Sequence, residues 1–215
     1  MTSSDKVQLT YGDISAEFPV IKAVDGANAV DISKLTAATG LTAYDQGFVN
    51  TASTKSAITF IDGGEGILRH RGYPIEQLAG HKSFLETAYL LIYSELPTAD
   101  ELANFEDRIR RHTLVHEDLK NLFSAMPQTA HPMAVLAAGV TALSTFYQDS
   151  LNPHDHEQVE LSTIRLLAKL PVLAAYAHKN SLGQALLYPD NSLNYVENFL
   201  RLTFGNAAEQ YVQNP

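Results

Sequence analysis

Residues 58–79 read ITFIDGGEGILRHRGYPIEQLA. A β-branched, apolar run ends in the turn signal Asp62-Gly63-Gly64, where glycine accepts backbone angles that side chains resist. A basic stretch follows at Arg69-His70-Arg71, then Gly72, then a helix opening with Pro74 in its first turn, where the missing N–H costs nothing. The stretch is a joint, with extended chain before it and a helical pattern after it. It sets the expected fold as mainly α: a small β-containing N-terminal segment over 1–61, then a helical bundle over 62–215.

Upstream of the joint, strand-like runs occupy Val7–Tyr11, Ile14–Ile21 and Ala57–Ile61, with turn signals at Gly12-Asp13, Asp25-Gly26 and Asp45-Gln46-Gly47. Asp31–Ala38 reads as a short helix capped by Asp31. Downstream, Ser83 with Glu86 and Thr98 with Glu101 are capping boxes, each opening an amphipathic helix. Pro132 takes a first helical position, and the run behind it is apolar on nearly every side, as in a helix surrounded by others. A long helix is expected from Asp155 to His178, kinked or split by Pro171, which removes a backbone donor. Val196, Phe199, Leu200, Thr203 and Phe204 form the stripe of a last helix, stopped by Gly205.

The 215 residues carry 45% apolar residues and a formal net charge of -9, with no cysteine. That suits a globular core and excludes disulfides, thiolate nucleophiles and cysteine-based zinc sites. The acidic balance argues against a general nucleic-acid binder but leaves room for a local cationic pocket. No secretory signal is visible at the N-terminus, and the uncharged stretch His131–Gln148 reads as a buried helix rather than a membrane span. The expectation is a soluble, cytoplasmic chain.

The densest polar constellation is Arg110-Arg111-His112-Thr113 with His116-Glu117. On a helix, His112 and His116 would share a face, a spacing that suits a metal. The zinc-protease pattern needs a Glu directly after the first His, however, and no third ligand is visible, so no metal is expected. The readings left open are a polar helix face or an anion site with Arg111 as the fork. Arg69, His70 and Arg71 read either as a carboxylate or phosphate holder or as a solvated basic turn. His131 reads as a helix-entry residue, Tyr147 as core, and Glu65 and Glu76 as isolated carboxylates. No complete catalytic set emerges.

The chain resembles the first half of a bacterial type II citrate synthase, with an actinobacterial cast. The matching pieces are FVNTASTKSAITFIDGGEGILRHRGYPIEQLA at 48–79, RRHTLVHEDL at 110–119, HPMAVL at 131–136, FYQDSLNP at 146–153, STIRLLAKLP at 162–171, LYPDNSL at 187–193 and ENFLRLTFG at 197–205. Their order and spacing carry the resemblance. It implies condensation of acetyl-CoA with oxaloacetate and water to citrate and CoA, with no cofactor, through an Asp base, two assisting His residues and carboxylate-holding Arg residues. Those groups lie downstream in the family. The resemblance therefore implies no catalytic residue in this chain and no activity of the 215 residues alone. The alternatives are a 2-methylcitrate synthase, or a non-catalytic scaffold or regulatory homologue. The resemblance also implies a homo-oligomer, a dimer or a hexamer. Positions matching an NADH inhibitory site are Arg111, His112, Thr113, Tyr147, Arg165 and Lys169. Ala208 stands where NADH-sensitive members carry a Cys.

Overall fold

The computed structural model describes residues 5–212, which fall into two compact units divided between Pro97 and Thr98.

In the first unit, strands β1 (Lys6–Tyr11) and β2 (Ile14–Ile21) form an antiparallel hairpin closed by Tyr11 opposite Ile14. The two-residue loop between them needs Gly12 at φ +58°. A short β3 (Ala29–Val30) adds to β2. Helix α1 (Leu35–Thr39) follows, with Lys34 at its cap position. Asp31 does not cap it as expected: its carboxylate accepts from the Ser33 amide, and this local turn holds the start of the helix back.

The joint at 58–79 is a second three-stranded sheet. Strand β4 (Thr59–Asp62) pairs with β5 (Ile67–His70), and β5 with β6 (Tyr73–Pro74). Asp62 Oδ1 accepts from the Gly64 and Glu65 amides at 3.0 Å each and so folds the hairpin turn. Arg69 and His70 therefore lie in a strand, Arg71 and Gly72 form the turn after it, and Pro74 precedes α2 (Ile75–Leu78) instead of opening it. Arg71 sits at φ +50°, and its guanidinium donates to Leu91 O at 2.7 Å from Nη2. That bond ties the sheet to α3 (Phe84–Tyr93), which opens on the expected Ser83–Glu86 capping box.

The second unit is helical: α4 (Ala99–Arg110), α5 (Glu117–Ala125), α6 (Pro132–Phe146), α7 (His156–Ser181) and α8 (Tyr195–Phe204). Helix α7 is its axis and packs against the other four. Its buried Val172, Leu173 and Tyr176 meet Leu119 and Phe123 of α5, Val135 and Leu143 of α6 and Leu202 of α8 in one core. Pro171 does not split α7, which runs unbroken for 26 residues. The carbonyl that the missing Pro171 N–H leaves open belongs to Leu167, and Tyr195 Oη donates to it at 3.0 Å. Lys179, 2% exposed, holds the other end of α8 by donating to Gly205 O and to Gln184 Oε1.

Helix α6 is not enclosed on all sides among the described residues. It buries Val135, Gly139 and Leu143 and leaves Ala134, Ala137, Thr141, Ser144 and Thr145 exposed. The three hydroxyls bond back to carbonyls of their own helix at 2.8–2.9 Å, so that face needs no polar partner. Val159, Leu166 and Leu170 form a second exposed apolar row along α7, each 42–43% accessible. Among the described residues, no helix is long and apolar enough to cross a membrane.

Candidate functional site

Four of the six residues singled out in the sequence meet where the end of α4, the end of α6 and the middle of α7 come together. Arg165 and Lys169 lie one turn apart on α7, and both reach the Tyr147 ring. The Arg165 guanidinium is 4.6 Å and the Lys169 ammonium 4.9 Å from the centre of the Tyr147 ring. Tyr147 follows α6 as its C-cap, and a short 3-10 turn, Gln148–Ser150, comes next. From the α4 side comes the backbone of His112, whose carbonyl accepts from Lys169 Nζ at 2.5 Å.

Each cation is already engaged. Arg165 makes a bidentate pair with Asp149, Nη1 to Oδ1 at 2.6 Å and Nη2 to Oδ2 at 3.0 Å, and Nη1 also donates to Ser150 Oγ at 2.8 Å. The pairing holds the Asp149 carboxyl below its ordinary range. Arg165 Nε is buried and finds no hydrogen-bond partner among the described residues. Lys169 is 2% exposed and donates to the carbonyls of both His112 and Leu114. Burial, with the Arg165 charge beside it, pushes the Lys169 amine down to about 8. Burial pushes the Tyr147 phenol up, against the pull of Arg165.

The Arg111, His112 and Thr113 side chains have partners of their own. Arg111 caps the end of α4, and its Nε donates to Asp107 at 2.6 Å from an exposed side chain. His112 and Thr113 follow the end of α4 rather than opening a helix. His112 Nδ1 faces Arg108 O at 2.7 Å, which makes Nδ1 the donor. Thr113 donates to Arg110 O and to Asn191 Oδ1, at 3.1 Å each. Because α4 ends before His112 and α5 begins after His116, these two histidines do not share a helix face, and the i, i+4 argument for a metal fails. Among the described residues, no group of three His, Asp or Glu side chains is placed to hold a metal.

The Arg69-His70-Arg71 stretch is not a solvated turn, because both arginines find partners within the chain. Arg69 pairs with Asp25 at 2.8 Å, and Arg71 is bound to Leu91 O. Sequence reasoning missed Asp149, Ser150 and Asp107, the groups that occupy the cations. Asp149 lay two residues past Tyr147 and was the one readable signal. The carbonyls of His112 and Leu114 leave no trace in a sequence.

The knot is thus an arginine neutralised by Asp149 and a lysine held by backbone carbonyls beside one tyrosine, and among the described residues it holds no acid and base at a common point. Comparison with known proteins gives it a context. The family model described as "Citrate synthase, C-terminal domain" matches residues 47–214. This chain belongs to the citrate synthase family. It is 57% identical over 213 residues to citrate synthase 1 of Mycobacterium tuberculosis, a match spanning 99% of this chain and 49% of that protein. It is 51% identical over 214 residues to the citrate synthase of Corynebacterium glutamicum, again spanning 49% of that protein. The crystal structure of the citrate synthase of Pyrobaculum aerophilum matches with a TM-score of 0.67 at 31% identity, over 76% of this chain and 43% of that one. The mainly helical body with two small N-terminal sheets is the citrate synthase fold. The chain spans about half the length of the curated relatives it matches.

Proposed function

We propose that this chain serves the citrate synthase reaction, the condensation of acetyl-CoA with oxaloacetate and water to citrate and CoA, in the cytoplasm and within a homo-oligomer. In this reading the 215 residues supply the helical scaffold and none of the reacting groups. The observation that carries the reaction is the 51–57% identity to citrate synthases over nearly every residue of this chain. The scaffold role is supported by how the acid–base side chains are used. His116 and His131 cap helices, Asp149 and Asp107 neutralise arginines, and Glu86, Glu101 and Glu197 close capping boxes. General acid–base catalysis needs such groups free and aimed at one reacting centre. The uncovered small-residue face of α6 and the apolar row on α7 support assembly with further helices.

The test is oxaloacetate-dependent release of thiol from acetyl-CoA. Protein carrying this chain in a complete citrate synthase should release it, with propionyl-CoA turned over more slowly. Purified 215-residue chain, verified by intact mass, should release none. Preference for propionyl-CoA would move the assignment to 2-methylcitrate synthase. Activity of the verified chain would overturn the scaffold role.

A second reading concerns regulation. The convergence of Arg165, Lys169 and His112 near Tyr147 favours a place where NADH would act. We infer that an effector phosphate reaches Arg165 only by displacing Asp149, which makes any such inhibition weak in this protein.

A further inference from the structure

Two helices of the second unit open on the same uncommon cap. His116 precedes α5 and His131 precedes α6. In each case the imidazole Nδ1 accepts the backbone N–H two residues on, Asp118 N at 3.2 Å and Met133 N at 3.2 Å. Ser, Thr, Asn and Asp are the usual residues here, and their oxygens accept throughout the neutral range. An imidazole accepts at Nδ1 only while it is neutral with its proton on Nε2. Protonation turns that acceptor into a donor aimed at an amide N–H. It also places a positive charge at the positive end of the helix. Histidine is the side chain whose charge changes between pH 5 and 8.

The two caps sit on one hairpin. The His116 ring at the start of α5 stacks on Phe146 at the end of α6, with ring centres 4.9 Å apart, so the helices run antiparallel. Between the caps, α5 and α6 carry Leu119, Phe123, Val135 and Leu143 into the core. The surroundings of the two rings differ. His116 Nδ1 lies 3.6 Å from the Asp118 carboxylate, and Glu117, itself paired with Lys120 at 3.2 Å, is next to it. A charged His116 regains part of its loss from these carboxylates. His131 has no such compensation: among the described residues, no hydrogen bond or ion pair brings a charged side chain to it. His112 is the internal contrast, because its Nδ1 already donates to Arg108 O and charging that ring breaks no bond.

We propose that the α5–α6 hairpin is an acid-sensitive clasp, shut while both imidazoles are neutral and loosened as they charge, with His131 the more sensitive of the two. Isotope-labelled 215-residue chain, followed by NMR from pH 8 to 5.5, tests it without any variant. At pH 8 both rings should show the Nε2–H form. As His131 charges, the Met133 amide should shift and exchange with solvent about fivefold faster, the effect of losing one cap. His131→Asn keeps a cap that does not titrate. It should reduce the fall in Tm between pH 8 and 5.5 by about 2–4 °C, His116→Asn by less, and His112→Asn not at all. An Nδ1–H tautomer at His131, or a Met133 amide indifferent to its titration, overturns the proposal. So does a His116→Asn/His131→Asn double variant whose Tm falls with pH as much as the parent's.

Discussion

Gly139 lies on the buried face of α6, in ordinary helical conformation, and its reason for being glycine is space. A Cβ built there would stand 2.8 Å from Phe123 Cζ, 3.4 Å from Phe123 Cε2 and 3.7 Å from Leu173 Cδ1. The Phe123 ring cannot simply turn away. It is 1% exposed and packs edge-on against Tyr176 with ring centres 5.8 Å apart, and Tyr176 is itself 1% exposed. Gly139→Ala therefore sets two effects against each other. The helix gains about 1 kcal/mol from replacing glycine in its interior. Forcing a methyl group into a filled core costs about 1–3 kcal/mol. The packing cost should win, for a net loss of about 1 kcal/mol and a Tm lower by about 2–4 °C. Urea unfolding of the chain followed by far-UV circular dichroism measures it. The sharper assay adds Phe123→Leu, which withdraws the atoms the new methyl would meet. In that background Gly139→Ala should become stabilising, because only the propensity gain remains. If Gly139→Ala stabilises the parent chain as well, α6 does not press on Phe123 and the reasoning fails.

Lys169 gives a pH dependence whose sign follows from its burial. Its amine is pushed down to about 8 from the ordinary 10.5, so the folded chain bears the full penalty of the buried charge below pH 8. Between pH 8 and 10.5 the unfolded chain holds the proton more tightly, and stability should rise by up to about 3 kcal/mol. Lys169→Met should lose that rise and also lose stability at neutral pH, where the His112 and Leu114 carbonyls are left without their donor; an unchanged alkaline profile would contradict the assignment. Tyr176 Oη is buried with no hydrogen-bond partner among the described residues, and burial pushes the phenol up to about 12. Tyr176→Phe should therefore leave the Tm unchanged or raise it by about 2 °C, whereas a marked loss would reveal a bound partner for the hydroxyl. In a complete citrate synthase carrying this chain, millimolar NADH should inhibit weakly or not at all. Asp149→Asn, which frees Arg165, should strengthen the inhibition, and strong inhibition of the parent enzyme would show that the knot opens readily.

What could be read from the sequence was whatever depends on neighbours along the chain. The Ser83 and Thr98 capping boxes, the Tyr11–Ile14 hairpin and the Gly205 stop are local devices, and the structure has them where the residues announce them. Strand β5 was hidden because ILRH at 67–70 is too short and too polar to show a strand period alone. It becomes a strand by pairing with β4, with Phe60 opposite Arg69 and Ile61 opposite Leu68. Of the kink or split expected at Pro171, the split does not occur. A proline rule reads the lost hydrogen bond as a break, but the freed Leu167 carbonyl finds Tyr195, 28 residues away.

The candidate site divides along the same line. That Arg165 and Lys169 share a face follows from their spacing of four, and the structure sets both cations near the Tyr147 ring. Where their charges are spent does not follow from spacing, because the Lys169 acceptors are backbone carbonyls 57 and 55 residues earlier. A sequence counts two cations and suggests an anion. The fold instead places Lys169 against backbone carbonyls of the segment between α4 and α5, and gives Arg165 an aspartate from the turn after α6. The same residue types thus describe a ligand pocket or a structural knot, and the deciding fact is whether the chain supplies its own acceptors. Here it supplies them for Arg165, Lys169 and Arg111 alike. An outside anion must therefore compete with acceptors already in place, and Asp149→Asn measures that competition directly.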